Sequence, residues 1–219
     1  MRRLVPVLLV IMMAMTVLAP VAAQPVEAQP AVTAAIDWLR TQQQDDGGFA
    51  GFNGSSDGGV SAEGALAVAA AGVDPHTVRR VSPLGDFLFS VGDTYGATTG
   101  GAAKLSVAAV AMGSDPHVIG QIPGLIDRII AAHDPATGLY DTQLFSHAYA
   151  ILALVAAGEP VPSDAVDALV SRQIADGSWA FSGSTETGQG DSNTTAIAIQ
   201  ALVAAGRTNS DAVRRGLGY

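Results

Sequence analysis

Amphipathic stretches alternate along this chain with stretches that are apolar almost all round. The first amphipathic stretch sets Ile36, Leu39 and Gln43 against Asp37 and Arg40, and the stretch after it is built from small apolar residues. An amphipathic helix has one wet face, whereas a helix apolar all round has neighbours on several sides. Pairing the two kinds predicts four helical hairpins: 31–44 with 58–71, 80–91 with 99–112, 122–132 with 144–157, and 163–174 with 192–205. A fifth begins near Ser210-Asp211 and runs out at Tyr219. Asp57, Ser163 and Asp191 stand at predicted helix starts, where their side chains can accept from free first-turn amides. No segment shows sustained strand-type alternation, so the predicted fold class is all-α.

The apolar stretches end alike, in Val68-Ala69-Ala70-Ala71-Gly72, Val110-Ala111-Met112-Gly113, Val155-Ala156-Ala157-Gly158 and Val203-Ala204-Ala205-Gly206. The intervals between these glycines are 41, 45 and 48 residues, the range of helix-pair repeats. Glycine closes a helix in the left-handed conformation, and Asp74-Pro75, Asp115-Pro116 and Glu159-Pro160 then prevent continuation. Ten residues before each glycine lie Ala62, Ala103, Ala148 and Ala196; five before, Ala67, Ala108, Ala153 and Ala201; two before, Ala70, Ala111, Ala156 and Ala204. These positions share a sector of about 140° on a helix, so the alanines are expected to face neighbouring inner helices. The expected architecture is two rings, with the Ala-rich second helices inside and the amphipathic first helices outside.

Composition adds an address and several exclusions. Arg2 and Arg3 precede the apolar run Leu4–Leu18, and Val21-Ala22-Ala23 supplies the small residues of a cleavage site. Residues 1–23 therefore read as a signal peptide and 24–30 as a short flexible leader, with a repeat domain over 31–219 and a secreted or extracytoplasmic location. The competing reading of 1–23 is a membrane anchor; no later segment is long and apolar enough to span a bilayer. Removing the two arginines takes the formal charge from −9 to −11. That balance, with no basic stripe, argues against nucleic acid as a partner. There is no cysteine, which excludes disulfides, a thiolate nucleophile and thiolate metal ligands.

Two loops carry a sharper signal. Gln43-Gln44-Asp45-Asp46-Gly47-Gly48-Phe49 ends the first amphipathic stretch and Gln173-Ile174-Ala175-Asp176-Gly177-Ser178-Trp179 ends the fourth. The shared pattern is a glutamine, then Asp-Gly-(Gly/Ser)-aromatic; Gly138-Leu139-Tyr140 keeps a trace of it and Asp93-Thr94-Tyr95-Gly96 hardly any. This pattern resembles the glutamine–tryptophan repeats of the squalene/oxidosqualene cyclase and protein prenyltransferase superfamily. The resemblance covers about residues 30–206 and implies an α/α toroid, the fold also found in the cobalamin carriers transcobalamin and intrinsic factor. Toroids of that kind close with about six hairpins, so four and a fraction imply a partial ring, and a chain incomplete at its C-terminus.

What the resemblance implies about activity depends on individual residues. Class II terpene cyclases protonate substrate with the middle aspartate of Asp-x-Asp-Asp-Thr-Ala; this chain has Asp191-Ser192-Asn193-Thr194-Thr195-Ala196. Asn193 stands at the proton donor's position, and an amide supplies no acidic proton. Aromatic residues, which stabilise carbocations, make up only 5% of the chain. The alternative is that Asp191 caps the helix while Thr194 and Thr195 pack against the next inner helix. Asp57-Gly58-Gly59-Val60-Ser61-Ala62 supports capping, since it explains both copies. Protein prenyltransferases hold zinc through a cysteine that is absent here. His76 and His117 lie in matching Asp-Pro-His turns, the mark of a repeated turn rather than a metal site. The Asp/Gly loops at 45–48, 53–58 and 176–177 lack a calcium-loop pattern. No metal or cofactor is expected.

The remaining candidate is the mouth of the inner ring, where helix starts converge. Nine residues before the glycines lie Glu63, Lys104, Tyr149 and Ile197, and eleven before lie Ser61, Ala102, His147 and Thr195. A charge on an otherwise apolar helix needs a partner, water or ligand. Glu63 and Lys104 either pair with each other or contact a ligand; His147 and Tyr149 are either core residues or site residues. With Asp191 and Asn193, these form the expected ligand-binding set: Ser61, Glu63, Lys104, His147, Tyr149, Asp191, Asn193 and Thr195. The expected function is a non-catalytic, exported module binding a small molecule (cobalamin-like or isoprenoid) or a partner. The alternatives are a cyclase-related enzyme and a structural or adhesion scaffold. The fourth apolar helix, with Ile197, Ile199, Leu202 and Val203, is expected to leave an apolar patch along 192–205 that self-association or a further C-terminal domain would cover.

Overall fold

The computed structural model describes residues 30–118 and 124–219. The predicted signal peptide and residues 24–29 of the predicted leader lie outside the described residues, as do the first two positions of the predicted 122–132 helix. The fold is mostly helical. Its helices are α1 (Pro30–Gln42), α2 (Gly58–Ala70), α3 (Leu84–Ser90), α4 (Thr99–Ala111), α5 (Leu125–Ala131), α6 (Leu144–Ala157), α7 (Ser163–Ser171), α8 (Ser192–Ala204) and α9 (Asp211–Leu217). A two-residue antiparallel pair, β1 (Phe49–Ala50) with β2 (Ser56–Asp57), joins α1 to α2.

The ends of the Ala-rich helices follow the sequence closely, whereas the flanking helices are shorter than predicted, Leu84–Ser90 against 80–91 and Ser163–Ser171 against 163–174. Gly72, Gly113, Gly158 and Gly206 all take φ between 72° and 80°, the left-handed region that closes a last turn. Asp57 and Asp191 accept from the amides of Val60 (2.8 Å) and Thr194 (2.7 Å). Ser163 is not the expected cap. Pro162 holds that place in extended backbone, and Ser163 is already helical.

The Ala-rich helices α2, α4, α6 and α8 pack side by side as a row in chain order. Each of α3, α5, α7 and α9 packs on the row helix that precedes it. Among the described residues no row helix precedes α1, and Ile36 alone among its thirteen residues is buried. Counting back from the repeat glycines, positions eleven, eight and four are buried in every row helix: Ser61, Gly64 and Val68 in α2; Ala102, Leu105 and Ala109 in α4; His147, Ala150 and Leu154 in α6; Thr195, Ala198 and Leu202 in α8.

The alanines do not form one uniformly covered strip. Ala62, Ala103 and Ala148 are buried while the equivalent Ala196 is exposed; Ala108, Ala153 and Ala201 are buried while Ala67 is exposed. The two sets lie about 140° apart on the helix. One flank meets the following row helix and the other the preceding one, so α8 and α2 each leave one flank open. The third set sits at the helix ends, where Ala70, Ala156 and Ala204 are exposed and Ala111 is half-buried.

The expected apolar patch along 192–205 is narrower than the sequence suggested. Leu202 is buried, Ile197 and Ile199 are half-buried, and the exposed residues of α8 are Ser192, Asn193, Ala196, Gln200, Val203 and Ala204. Helix α9 is the reason: Gly216 packs closely against Ile199 and the Trp179 ring.

Candidate functional site

The glutamine–aromatic loops act as clamps between successive hairpins. Gln43 Nε2 donates to the carbonyls of Gly47 (2.7 Å) and Val78 (3.3 Å); Gln173 Nε2 donates to Gly177 and Ala212, both at 2.8 Å. Each amide thus closes its own loop and grips the next segment of chain. Asp46 and Asp176 fold the turns by accepting from the amides of Gly48 (2.9 Å) and Ser178 (3.0 Å). Gly47 and Gly177 take φ 95° and 96°, and a Cβ on either would strike the carbonyl oxygen of Pro83 or Arg215. Glycine is needed twice over there, for conformation and for space.

Three predicted site residues serve these loops instead of a ligand. Ser61 Oγ accepts the Phe49 amide at 2.8 Å, Thr195 Oγ1 accepts the Trp179 amide at 3.0 Å, and His147 Nδ1 accepts the Tyr140 amide at 3.2 Å. In each case the acceptor lies eleven residues before the repeat glycine and the donor is the loop's aromatic residue. Ala102, at the same position in the second hairpin, offers no acceptor, and there the loop motif has decayed. Thr195 also donates to the Asp191 carbonyl at 2.7 Å, so its hydroxyl ties the loop to the start of its own helix. His147 Nε2 donates to the Ala165 carbonyl at 3.0 Å. Burial pulls the His147 imidazole down to about 4, against a smaller opposing effect of that bond. Ser61, His147 and Thr195 therefore leave the expected ligand-binding set, because their polar atoms are spent inside the fold.

Residues nine before the glycine do converge. Lys104 Nζ meets Glu63 Oε1 at 2.7 Å, and the Tyr149 hydroxyl donates to the same oxygen at 3.1 Å. The Lys104 ammonium also lies 5.2 Å from the Tyr149 ring centre and 5.5 Å from that of Phe145, both within cation–π range. Its side chain is only 13% exposed, whereas that of Glu63 is 52% exposed. A carboxylate open to solvent thus stands over an ammonium roofed by aromatic rings. Ile197, at the same position of α8, is half-buried and brings no polar group.

Sequence reasoning missed the aromatic shell of this cluster. The Phe145 ring lies 5.0 Å from Tyr149 and 6.3 Å from Phe181. Phe145 was findable, since it precedes Tyr149 by four residues and so shares its helix face. Tyr95 covers the start of α2: a Cβ on Gly58 or Gly59 would run into its ring or hydroxyl. Its phenol is pushed up to about 12 by burial and then by the Asp57 and Glu63 carboxylates. The Tyr149 phenol is raised as well, first by burial and then by Glu63. Tyr95 comes from the most decayed loop, where no motif marked it.

Asp191 and Asn193 stand at the start of α8. Asp191 Oδ1 caps Thr194 and Oδ2 accepts the Phe181 amide at 3.2 Å, so both its oxygens hold backbone. Asn193 is exposed, and Thr194 is buried. The matching Asp-Pro-His turns are alike in form: the His76 and His117 amides each bond the preceding aspartate at 2.9 Å, and each ring reaches the next hairpin, at the Met112 carbonyl and Glu159. No helix among the described residues is long and apolar enough to cross a membrane. No protein-family model matches the chain, and no curated protein does.

Proposed function

We propose that this chain is a non-catalytic, exported binding module of the α/α-toroid kind, whose row of Ala-rich helices curls so that its inner face holds the site. The resemblance to the prenyltransferase/squalene oxidase repeat motivates the architecture. The observation that carries it is the Tyr149–Glu63 hydrogen bond. It joins α6 to α2 past the intervening α4, and side chains two helices apart meet on the concave side of a bent row, not on a flat one. The ligand, of cobalamin or isoprenoid character, sits over the Glu63–Lys104–Tyr149 cluster, with Phe145 and Phe181 as its apolar wall. Because Glu63 and Lys104 already satisfy each other, a ligand must compete for them, and the affinity of the chain alone is modest.

The non-catalytic reading rests on the residues beside the site. The Asp191 oxygens hold backbone amides, and Asn193 supplies no acidic proton. A ligand that binds only the folded state raises the melting temperature with concentration. The deciding experiment is a melting titration of the mature chain with cobalamin, a linear triterpene and a neutral glycan, repeated on Lys104→Met. A concentration-dependent rise with one ligand class, reduced in Lys104→Met, is expected. A cyclised product from the triterpene overturns the non-catalytic reading, and no shift with any class favours the scaffold.

A further inference from the structure

The row of helices contains four grooves of the same construction, each formed by a flanking helix and the row helix that follows it. Three are filled: α2 packs on α3 and α4, α4 on α5 and α6, and α6 on α7 and α8. The fourth, between α1 and α2, holds a cavity of about 460 Å³ lined by Trp38, Leu39, Phe49, Val60, Glu63 and Ala67.

Equivalent positions show what this groove lacks. Twelve and five residues before the repeat glycines, α4 has Gly101 and Ala108, α6 has Ser146 and Ala153, and α8 has Thr194 and Ala201; all six are buried. In α2 the same positions are Val60, 39% exposed, and Ala67, also exposed. On the other wall, Trp38 is 60% exposed. An open groove of this apolar character on an acidic chain is the surface expected of an interaction site.

From this we infer that the α1/α2 groove is a docking site for one α-helix of a partner polypeptide, of the small-residue type found in the row. Its occupant spans about four turns, like the thirteen- and fourteen-residue α4 and α6 that fill sibling grooves. It presents alanine or glycine where it crosses Ala67, so that the backbones approach closely. A second copy of this chain is not the occupant. Among the described residues, α8 is the row helix with an open following flank, and α9 holds the place on it that α1 of another copy would need. Helix α9 is fastened there by Gln173 Nε2 on the Ala212 carbonyl and by Arg215 on the Ile174 carbonyl at 2.9 Å. The inference does not depend on the small-molecule reading, since Glu63 is the one residue the two share.

The helix that fills the α7/α8 groove supplies the probe. A labelled peptide of residues 144–157, carrying a lysine tail for solubility, is titrated with the chain and followed by fluorescence anisotropy. Saturable one-to-one binding is expected, weakened at least tenfold by Ala67→Arg and unchanged by Gln200→Arg on the open flank of α8. Ala67 is exposed, so Ala67→Arg keeps the fold, which circular dichroism verifies; Val60→Arg serves as a second groove variant. No saturable binding, or binding insensitive to both groove variants, overturns the inference. So does a dimer of the chain by sedimentation that Ala67→Arg dissociates, which assigns the groove to a second copy.

Discussion

The Tyr149 hydroxyl donates to Glu63 Oε1 at 3.1 Å, linking residues 86 apart in sequence and two helices apart in the row. That oxygen also receives the Lys104 ammonium at 2.7 Å, so three successive row helices share one acceptor. A single carboxylate thus ties helix packing to the chemistry of the proposed site, and its removal should be felt unequally by its two partners.

Glu63→Ala is expected to destabilise the chain more than Lys104→Met. Without Glu63 the mostly buried Lys104 ammonium keeps only aromatic rings, whereas without Lys104 the half-exposed carboxylate is solvated by water. Stranding a desolvated charge costs more than losing an ion pair, so about 1–3 kcal/mol is expected for Glu63→Ala and about 1 kcal/mol or less for Lys104→Met. Urea unfolding midpoints of the two variants check the order, and a reversal contradicts the described environment of Lys104.

The loop clamps make a separate prediction. Ser61→Ala and Thr195→Val each leave a buried amide, of Phe49 or Trp179, without its acceptor. The expected loss is about 1–3 kcal/mol apiece, the cost of an unsatisfied buried donor. Ala102→Ser should give no comparable gain, since no loop amide waits for it. Equilibrium unfolding of the three variants tests this, and a neutral Thr195→Val would remove the clamp from the account.

Loss of stability in mild acid should trace to His147. Its folded value near 4 lies below the ordinary 6.5, so the unfolded chain binds the proton first as pH falls. Stability is then full above about pH 6.5, declines between roughly 6.5 and 4, and is level for this group below that. The depressed value corresponds to a loss of up to about 3 kcal/mol. His147→Gln, which does not titrate, should flatten that stretch of the stability curve even if the variant is less stable throughout. An unchanged slope would mean that another group titrates there.

Glycine substitutions separate conformation from space. Gly47→Ala and Gly177→Ala put a methyl against backbone carbonyls of the next hairpin, while Gly54→Ala and Gly188→Ala, also at positive φ, meet nothing within 4 Å. The second pair should cost about 1–2 kcal/mol for the left-handed backbone alone, and the first pair distinctly more. Melting temperatures of the four variants give the comparison, and equal losses would contradict the clamp geometry.

The Ala-rich helices and their C-terminal ends were legible because left-handed glycines fix those ends locally, as Asp57 and Asp191 fix the starts of α2 and α8. Site assignment failed where it treated two registers as one face. Residues nine and eleven before the glycine differ by about 200° around a helix, so Glu63, Lys104 and Tyr149 could not share a surface with Ser61, His147 and Thr195. That angle was available in the sequence. Tyr95 and Phe181 were not, because they reach the cluster from loops whose path depends on tertiary packing. Nor could composition show that Ala67 is bare while Ala108, Ala153 and Ala201 are covered; the residue is the same, and only its place in the row differs.

The proposed bend in the row is most directly tested by a double-mutant cycle on Glu63→Ala and Tyr149→Phe, read from urea unfolding. Groups in contact couple by about 0.5 kcal/mol or more, while sites far apart add independently. A row curved as proposed predicts a coupling of at least that size between α2 and α6. Additive losses, with no coupling beyond error, would place the two side chains apart and contradict the bend on which the proposed site depends.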